Sequence, residues 1–362
     1  MAAKRIEWLN QLRGFAIIMI VTMHTLGYCE KMEPLSTYIG SFVVPLFFFI
    51  SGYLFKNVPE EKLSSYAKRK ALRILVPYFS FALLSLIPFY MFADGIQNSL
   101  GTSKIIHGNL LYSILSVFYA SGHSGWLAQN SPLWFLPCYF VVICVAKALF
   151  NKLEAAVIVH RELYFMFFFA ALGWIIYRFL NYAYPFCLET AIVMLYFYFL
   201  GYFIRSLLAK RSHVPSWLFI LFLVAGFIVH NYNGRISCMN NNYDNSYLTF
   251  MIAATFTCIG YLLLFRRFNT GRLMSYIGMN TLPILVFHKM PLVVFQSSLG
   301  ELSVLLKTGP ALTELSLAVL FVILSIASSL IAYEVIMRIC PIIYGETKRK
   351  PWSFNKGNNT KI

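Results

Sequence analysis

The chain is poor in charge, and above all in negative charge. Only 12% of its 362 residues are charged, with 14 acidic side chains against 30 basic ones. A soluble domain carries about 25% charged and about 45–50% apolar residues. Here 59% are apolar and the mean hydropathy is +0.67, which excludes an ordinary soluble domain and implies an integral membrane protein. Metal and redox spacings are missing too. The seven cysteines, Cys29, Cys138, Cys144, Cys187, Cys238, Cys258 and Cys340, form no C-x-x-C and have no His at ligand spacing. They read as small apolar filler, and no metal is expected. There is no P-loop and no G-x-G-x-x-G, so a nucleotide-bearing molecule would not be held in a Walker or Rossmann manner. No A-x-A-type site follows the basic start "MAAKRIEW", so the first apolar stretch reads as an uncleaved helix. The net charge of +16 comes without aromatic–basic interleaving, and no nucleic-acid partner is expected.

What is there is a series of apolar runs of spanning length, about 17–25 residues each. They cover residues 10–28, 38–55, 73–93, 133–150, 162–180, 187–206, 215–231, 247–265, 275–296 and 312–338. The stretch 104–121, broken by His107 and Asn109, reads as an interfacial or re-entrant helix in the 94–132 loop. The expected class is all-α: a polytopic membrane protein of about ten transmembrane helices. Its basic residues order that map. Placing both termini in the cytoplasm puts 23 of the 30 Lys and Arg on that side and only Lys31, Lys104, Arg235 and Lys307 on the other. The positive-inside rule accounts for such a split. One membrane unit spans residues 1–345, and the basic segment 346–362 reads as a disordered cytoplasmic tail near anionic lipid. No solenoid repeat is present, nor the paired broken helices of many inverted-repeat transporters.

Two ionisable residues stand inside the first span. Arg13 and His24 lie eleven positions apart in "LNQLRGFAIIMIVTMHTLG". Eleven residues make about three helical turns, so both fall on one face, about 16 Å apart along the axis. A mid-membrane Arg costs roughly 2.5–3.5 kcal/mol by insertion scales. Imidazole titrates near neutral pH and suits general-base or nucleophilic work; a guanidinium suits a phosphate or a carbonyl. The competing readings are His24 as interhelical glue and Arg13 as a snorkelling anchor. "KRKALRILVPY", which runs from Lys68 past Arg73, reads either as positive-inside anchoring or as a landing site for a polyanion. His288, in "IGMNTLPILVFHKM", is a second intramembrane His, either structural or facing an acceptor cavity opposite His24. Trp134 in "SPLWFLP" is either a belt residue or a ring for stacking on a sugar, and the Asn- and Tyr-rich loop 232–246 is ambiguous in the same way.

Taken together, "LRGFAIIMIVTMHT", "VPLFFFISGYLF", "RKALRILVPY", "LWFLP", "NGRISCMNNNYDNSYL" and "IGMNTLPILVFH" resemble the acyltransferase-3 family of membrane O-acyltransferases. The likeness is greatest to its fucose-4-O-acetylase-like branch of bacterial polysaccharide acetyltransferases. The motifs run in order from the first span to the ninth, so nearly the whole chain is covered. The resemblance implies an acetyl-CoA-dependent transferase in the bacterial inner membrane, moving an acyl group to a hydroxyl of a polysaccharide, oligosaccharide or lipid-linked sugar. The family's helix-one Arg and His fall on Arg13 and His24, as catalytic residues. Its R-x-x-R falls on Lys70 to Arg73, with Arg69 beside them, for coenzyme A. Lys70 replaces an Arg and loses the two-pronged fork. Many members carry Asp where this chain has Asn10. Asn10, Trp134 and His288 are the expected substrate contacts. A glycan acceptor and membrane lipid are the implied partners. Intramembrane His and Arg also suit a proton-coupled glycan transporter or flippase, and a non-catalytic partner in an export complex is the third reading.

Overall fold

The computed structural model describes residues 2–91, 110–123, 125–152, 161–210, 214–215, 217–292 and 300–346. Each apolar run is helical there. Helix α1 is Ala2–Leu26, α2 Glu33–Leu54, α3 Leu63–Leu84 and α4 Leu86–Met91. Then come α5 (Leu110–Tyr119), α6 (Phe135–Lys152), α7 (Arg161–Phe179), α8 (Leu188–Lys210) and α9 (Leu218–Asn231). The last five are α10 (Tyr247–Arg267), α11 (Arg272–Met279), α12 (Thr281–Phe287), α13 (Gly300–Thr308) and α14 (Ala311–Ile339). No strand occurs among the described residues.

Seven helices among these residues are long and apolar enough to cross a membrane. The other three expected spans are helical but differ. Helix α1 carries Glu7, Asn10, Gln11 and Arg13, which lower its hydropathy. Helix α9 has only 14 residues. The run 275–296 is broken at Asn280, whose Nδ2 donates to Tyr276 O at 2.9 Å. An Asn that binds the preceding turn competes with the helix, and Pro283 then falls in the first turn of α12, where its missing N–H costs nothing. The stretch 94–109, the 153–160 segment and the tail beyond Glu346 lie outside the described residues, so the expectation of a disordered basic tail does too.

Two close approaches of backbone to backbone set the frame. Gly52 of α2 lies against the Tyr198 carbonyl of α8, and Gly201 of α8 against the Phe49 carbonyl of α2. Gly14 of α1 meets the Met274 carbonyl of α11, while Gly278 meets the Asn10 carbonyl. A Cβ at any of the four would sit inside contact distance of a carbonyl oxygen. Small residues let helices approach where no hydrophobic force drives them together. Gln11 completes the α1 seat: its Nε2 donates to Asn269 Oδ1 (2.6 Å) and Gly271 O (3.2 Å), and its Oε1 accepts from Thr270 N (3.2 Å). The helix that carries Arg13 and His24 is therefore fixed in depth and rotation.

Candidate active site

A single cavity of about 2300 Å³ follows α1 along its length. The α1 residues that line it include Asn10, Arg13, Ile17, Ile20 and His24. Those positions step by three or four residues, which is one helical stripe. At one end are Lys56, Arg69, Lys70, Arg73, Arg205 and Arg266; at the other, Glu30, Glu33 and residues Arg235–Met239. Seven of the eight residues singled out in the sequence, Asn10, Arg13, His24, Arg69, Lys70, Arg73 and Trp134, line this one space.

The eighth, His288, is placed differently. It is fully buried and stands behind His24, with ring centroids 5.2 Å apart and planes tilted by 32°. Its Nδ1 lies 3.0 Å from Ile284 O and 2.9 Å from Leu285 O. Both are carbonyl acceptors, so Nδ1 carries the hydrogen and Nε2 is left bare. That Nε2 is buried with no hydrogen-bond partner among the described residues. The backbone at His288 is pinned by Ser325 Oγ, which donates to His288 O at 2.7 Å. His288 thus backs the His24 ring, and Lys289, next in the chain, lines the cavity.

Lys289 Nζ donates to Ser131 Oγ at 2.6 Å. Ser131 belongs to the 3-10 turn Ala128–Trp134, which leads into α6. That turn is held by buried Asn130, whose Nδ2 donates to Ser85 Oγ (3.1 Å) and Val286 O (3.0 Å). The Ser85 hydroxyl stitches the α3–α4 junction by donating to Phe81 O at 2.6 Å. Trp134, at the end of the turn, is mostly buried and presents to the cavity. Aromatic Phe135 and Tyr139, 5.7 Å apart and stacked, continue the wall, and Tyr139 Oη shares a 2.8 Å hydrogen bond with Ser51 Oγ.

Arg13 Nη2 donates to Thr281 Oγ1 at 3.3 Å, so a hydroxyl at the start of α12 orients the guanidinium. Asn10 lines the cavity one turn away, and no ion pair to Arg13 occurs among the described residues. At the basic mouth Arg69 pairs with Glu61 at 2.7 Å. Arg69 and Lys70 each lie 5.4 Å from the centre of the Tyr66 ring, a cation–π distance. Arg205 Nη1 donates to Phe55 O at 2.5 Å, and buried Lys147 closes the same loop through Asn57 Oδ1 (2.9 Å) and Val58 O (2.6 Å).

The Asn-rich loop spends most of its amides on itself. Asn242 Oδ1 accepts from Asp244 N at 3.0 Å, Asn240 Nδ2 donates to Ser237 Oγ at 3.0 Å, and Asn233 Oδ1 accepts from Ser246 N at 3.1 Å. Asn241 and Asp244 take left-handed backbone angles, with φ of 47° and 49°, a conformation those residue types tolerate. The seven cysteines are all free. Burial, with Glu314 adding to it, pushes the Cys29 thiol up to about 11, as expected of an inert filler. No group of three or more His, Cys, Asp or Glu side chains among the described residues could hold a metal ion.

Sequence reasoning missed Thr281, Ser131, Tyr66 and the role of Lys289. Lys289 did carry a signal, since a charge inside an apolar run is a functional candidate by default. The others reach the site by long-range packing that no local pattern announces.

The fold and cavity define a multi-pass, all-helical membrane protein with a basic-mouthed chamber around an imidazole. A family described as an acyltransferase domain matches residues 6–334. The chain belongs to this family, the acyltransferase-3 family, and is an acyltransferase. No curated protein and no solved structure matches it.

Proposed function

We propose that this protein transfers a short acyl group, acetyl first among them, from cytoplasmic acyl-CoA to a hydroxyl of a polysaccharide, oligosaccharide or lipid-linked sugar, in the inner membrane of a bacterium. The observation that carries the reading is the single cavity that joins a cluster of cations to His24. Its volume exceeds the roughly 300–1,000 Å³ of an ordinary ligand pocket, so it has room for two substrates.

Residues at the mouth fit the donor's phosphates. Lys70 and Arg73 present cations without a carboxylate partner among the described residues, and Arg69 lends part of its charge past Glu61. Charge-assisted hydrogen bonds of this kind are about twice as strong as neutral ones. Arg13, further in, keeps donors free for the donor's inner portion once Thr281 has taken one. His24 meets the cavity at the far end of the stripe. There its ring takes the proton from the acceptor hydroxyl as that oxygen adds to the thioester carbon. Positioned base catalysis is typically worth about 10²–10⁴-fold in rate. Trp134 offers an aromatic face to a sugar beside that centre.

The test is purified protein in lipid vesicles with acetyl-labelled acetyl-CoA and a candidate saccharide. Label on the saccharide is the expected result. Saccharide uptake without modification would overturn the transferase reading in favour of transport.

A further inference from the structure

Among three lysines that hydrogen-bond within the described structure, Lys289 has the most donors to spare. Lys147 is sealed by Asn57 Oδ1 and Val58 O. Lys31 pairs with fully buried Glu314 and donates to the Thr308 and Gly309 carbonyls. Lys289 makes one hydrogen bond, to the Ser131 hydroxyl, and has no ion pair among the described residues. An ammonium carries three donors, so two remain for the cavity it lines. Its neighbour His288 packs against His24, and Lys289 lines the same cavity as that base. A cation held inside a membrane without a counter-ion is expensive, and marks a place where negative charge arrives.

Resting on the acyl-transfer reading, we propose that Lys289 is a further catalytic residue, whose ammonium receives the charge that develops on the acyl carbonyl oxygen. The acceptor O–H proton passes to a ring nitrogen of His24. The acceptor oxygen forms a bond to the thioester carbon, and the carbonyl π pair moves onto oxygen, which becomes an oxyanion facing Lys289. The carbonyl then re-forms, the C–S bond breaks, and the leaving thiolate takes the proton back from His24. Atoms and charge balance, and Lys289 exchanges no proton. Of the anions this reaction involves, the donor phosphates belong at the basic mouth. The oxyanion is the one that must arise beside His24 whatever the acceptor. Donors fixed in place before charge develops lose nothing to reorganisation, and Ser131 supplies that fixing.

The experiment compares wild type, Lys289→Met and Lys289→Arg in reconstituted vesicles. It measures transfer kinetics and the binding of two non-reactive donor analogues, a neutral thioether and a tetrahedral phosphonate. Lys289→Met should lose about 10²–10³-fold in kcat with both KM values within about twofold, as removal of an oxyanion donor does. It should bind the phosphonate about 10²-fold more weakly and the thioether unchanged, which a merely structural defect would not separate. Lys289→Arg keeps the charge and should retain activity within about tenfold. A full kcat in Lys289→Met, equal loss of both analogues, or a raised acceptor KM with kcat intact overturns the inference alone. If the wild type transfers no label, the acyl-transfer reading fails and takes the inference with it.

Discussion

The basic mouth of the cavity and the wall around His24 are built on opposite plans. At the basic mouth many cations share one task. Arg69 and Lys70 approach the Tyr66 ring, Arg69 pairs with Glu61, Arg73, Arg205 and Arg266 line the same cavity, and Arg69 is half-exposed. Around His24 single groups stand alone: one imidazole facing the cavity, a second, buried ring behind it and one ammonium. Water and salt screen the first arrangement and hardly reach the second. The lesson is that recognition of a polyanion tolerates redundancy, whereas moving one proton does not.

This contrast breaks most sharply at His24. His24→Ala should lower kcat by about 10²–10⁴-fold while leaving acyl-CoA affinity within about twofold, read by label transfer and by donor titration. A variant that keeps normal turnover removes the imidazole from the account. At the mouth, the double change Lys70→Gln with Arg73→Gln should weaken donor binding about 10–100-fold with kcat preserved at saturation. That loss should shrink as salt rises, because exposed charges are screened. The seat of α1 should show in stability. Gly278→Ala forces a Cβ against the Asn10 carbonyl, and overpacking of this sort costs about 1–3 kcal/mol, measurable as a lower melting temperature in detergent. Smallest of all is Arg69→Gln, expected to change donor affinity by less than about threefold, since Glu61 already claims that guanidinium and exposed pairs are worth little. An Arg69 effect larger than that of Arg73 would show that the mouth is not redundant.

Much of this fold was legible because lipid imposes a simple code. Among the described residues every apolar run is mainly helical, and the Arg13–His24 spacing put both on one stripe of the cavity wall. The break at Asn280 was not foreseen, because hydropathy averages over the side chain that caps the previous turn. His288 was legible as an intramembrane His but not as the ring behind His24, since that depends on how α11, just before α12, seats on α1 through Gly278 and Gly14. Asn10 stands where an acid is common in the resembled family, and Arg13 is instead oriented by Thr281, 268 positions away in sequence. The Asn-rich loop suggested sugar contacts by composition, yet its amides mostly serve its own left-handed turns.

The bonding of His288 has one further consequence. With Nδ1–H committed to the carbonyls of Ile284 and Leu285, that ring can receive a hydrogen ion on Nε2 but cannot release one on its other side. It is a dead end for any hopping chain that starts at His24. Whatever His24 picks up must leave through the cavity that it lines, as in the hand-off to the departing thiolate, and none of it is relayed through the ring behind.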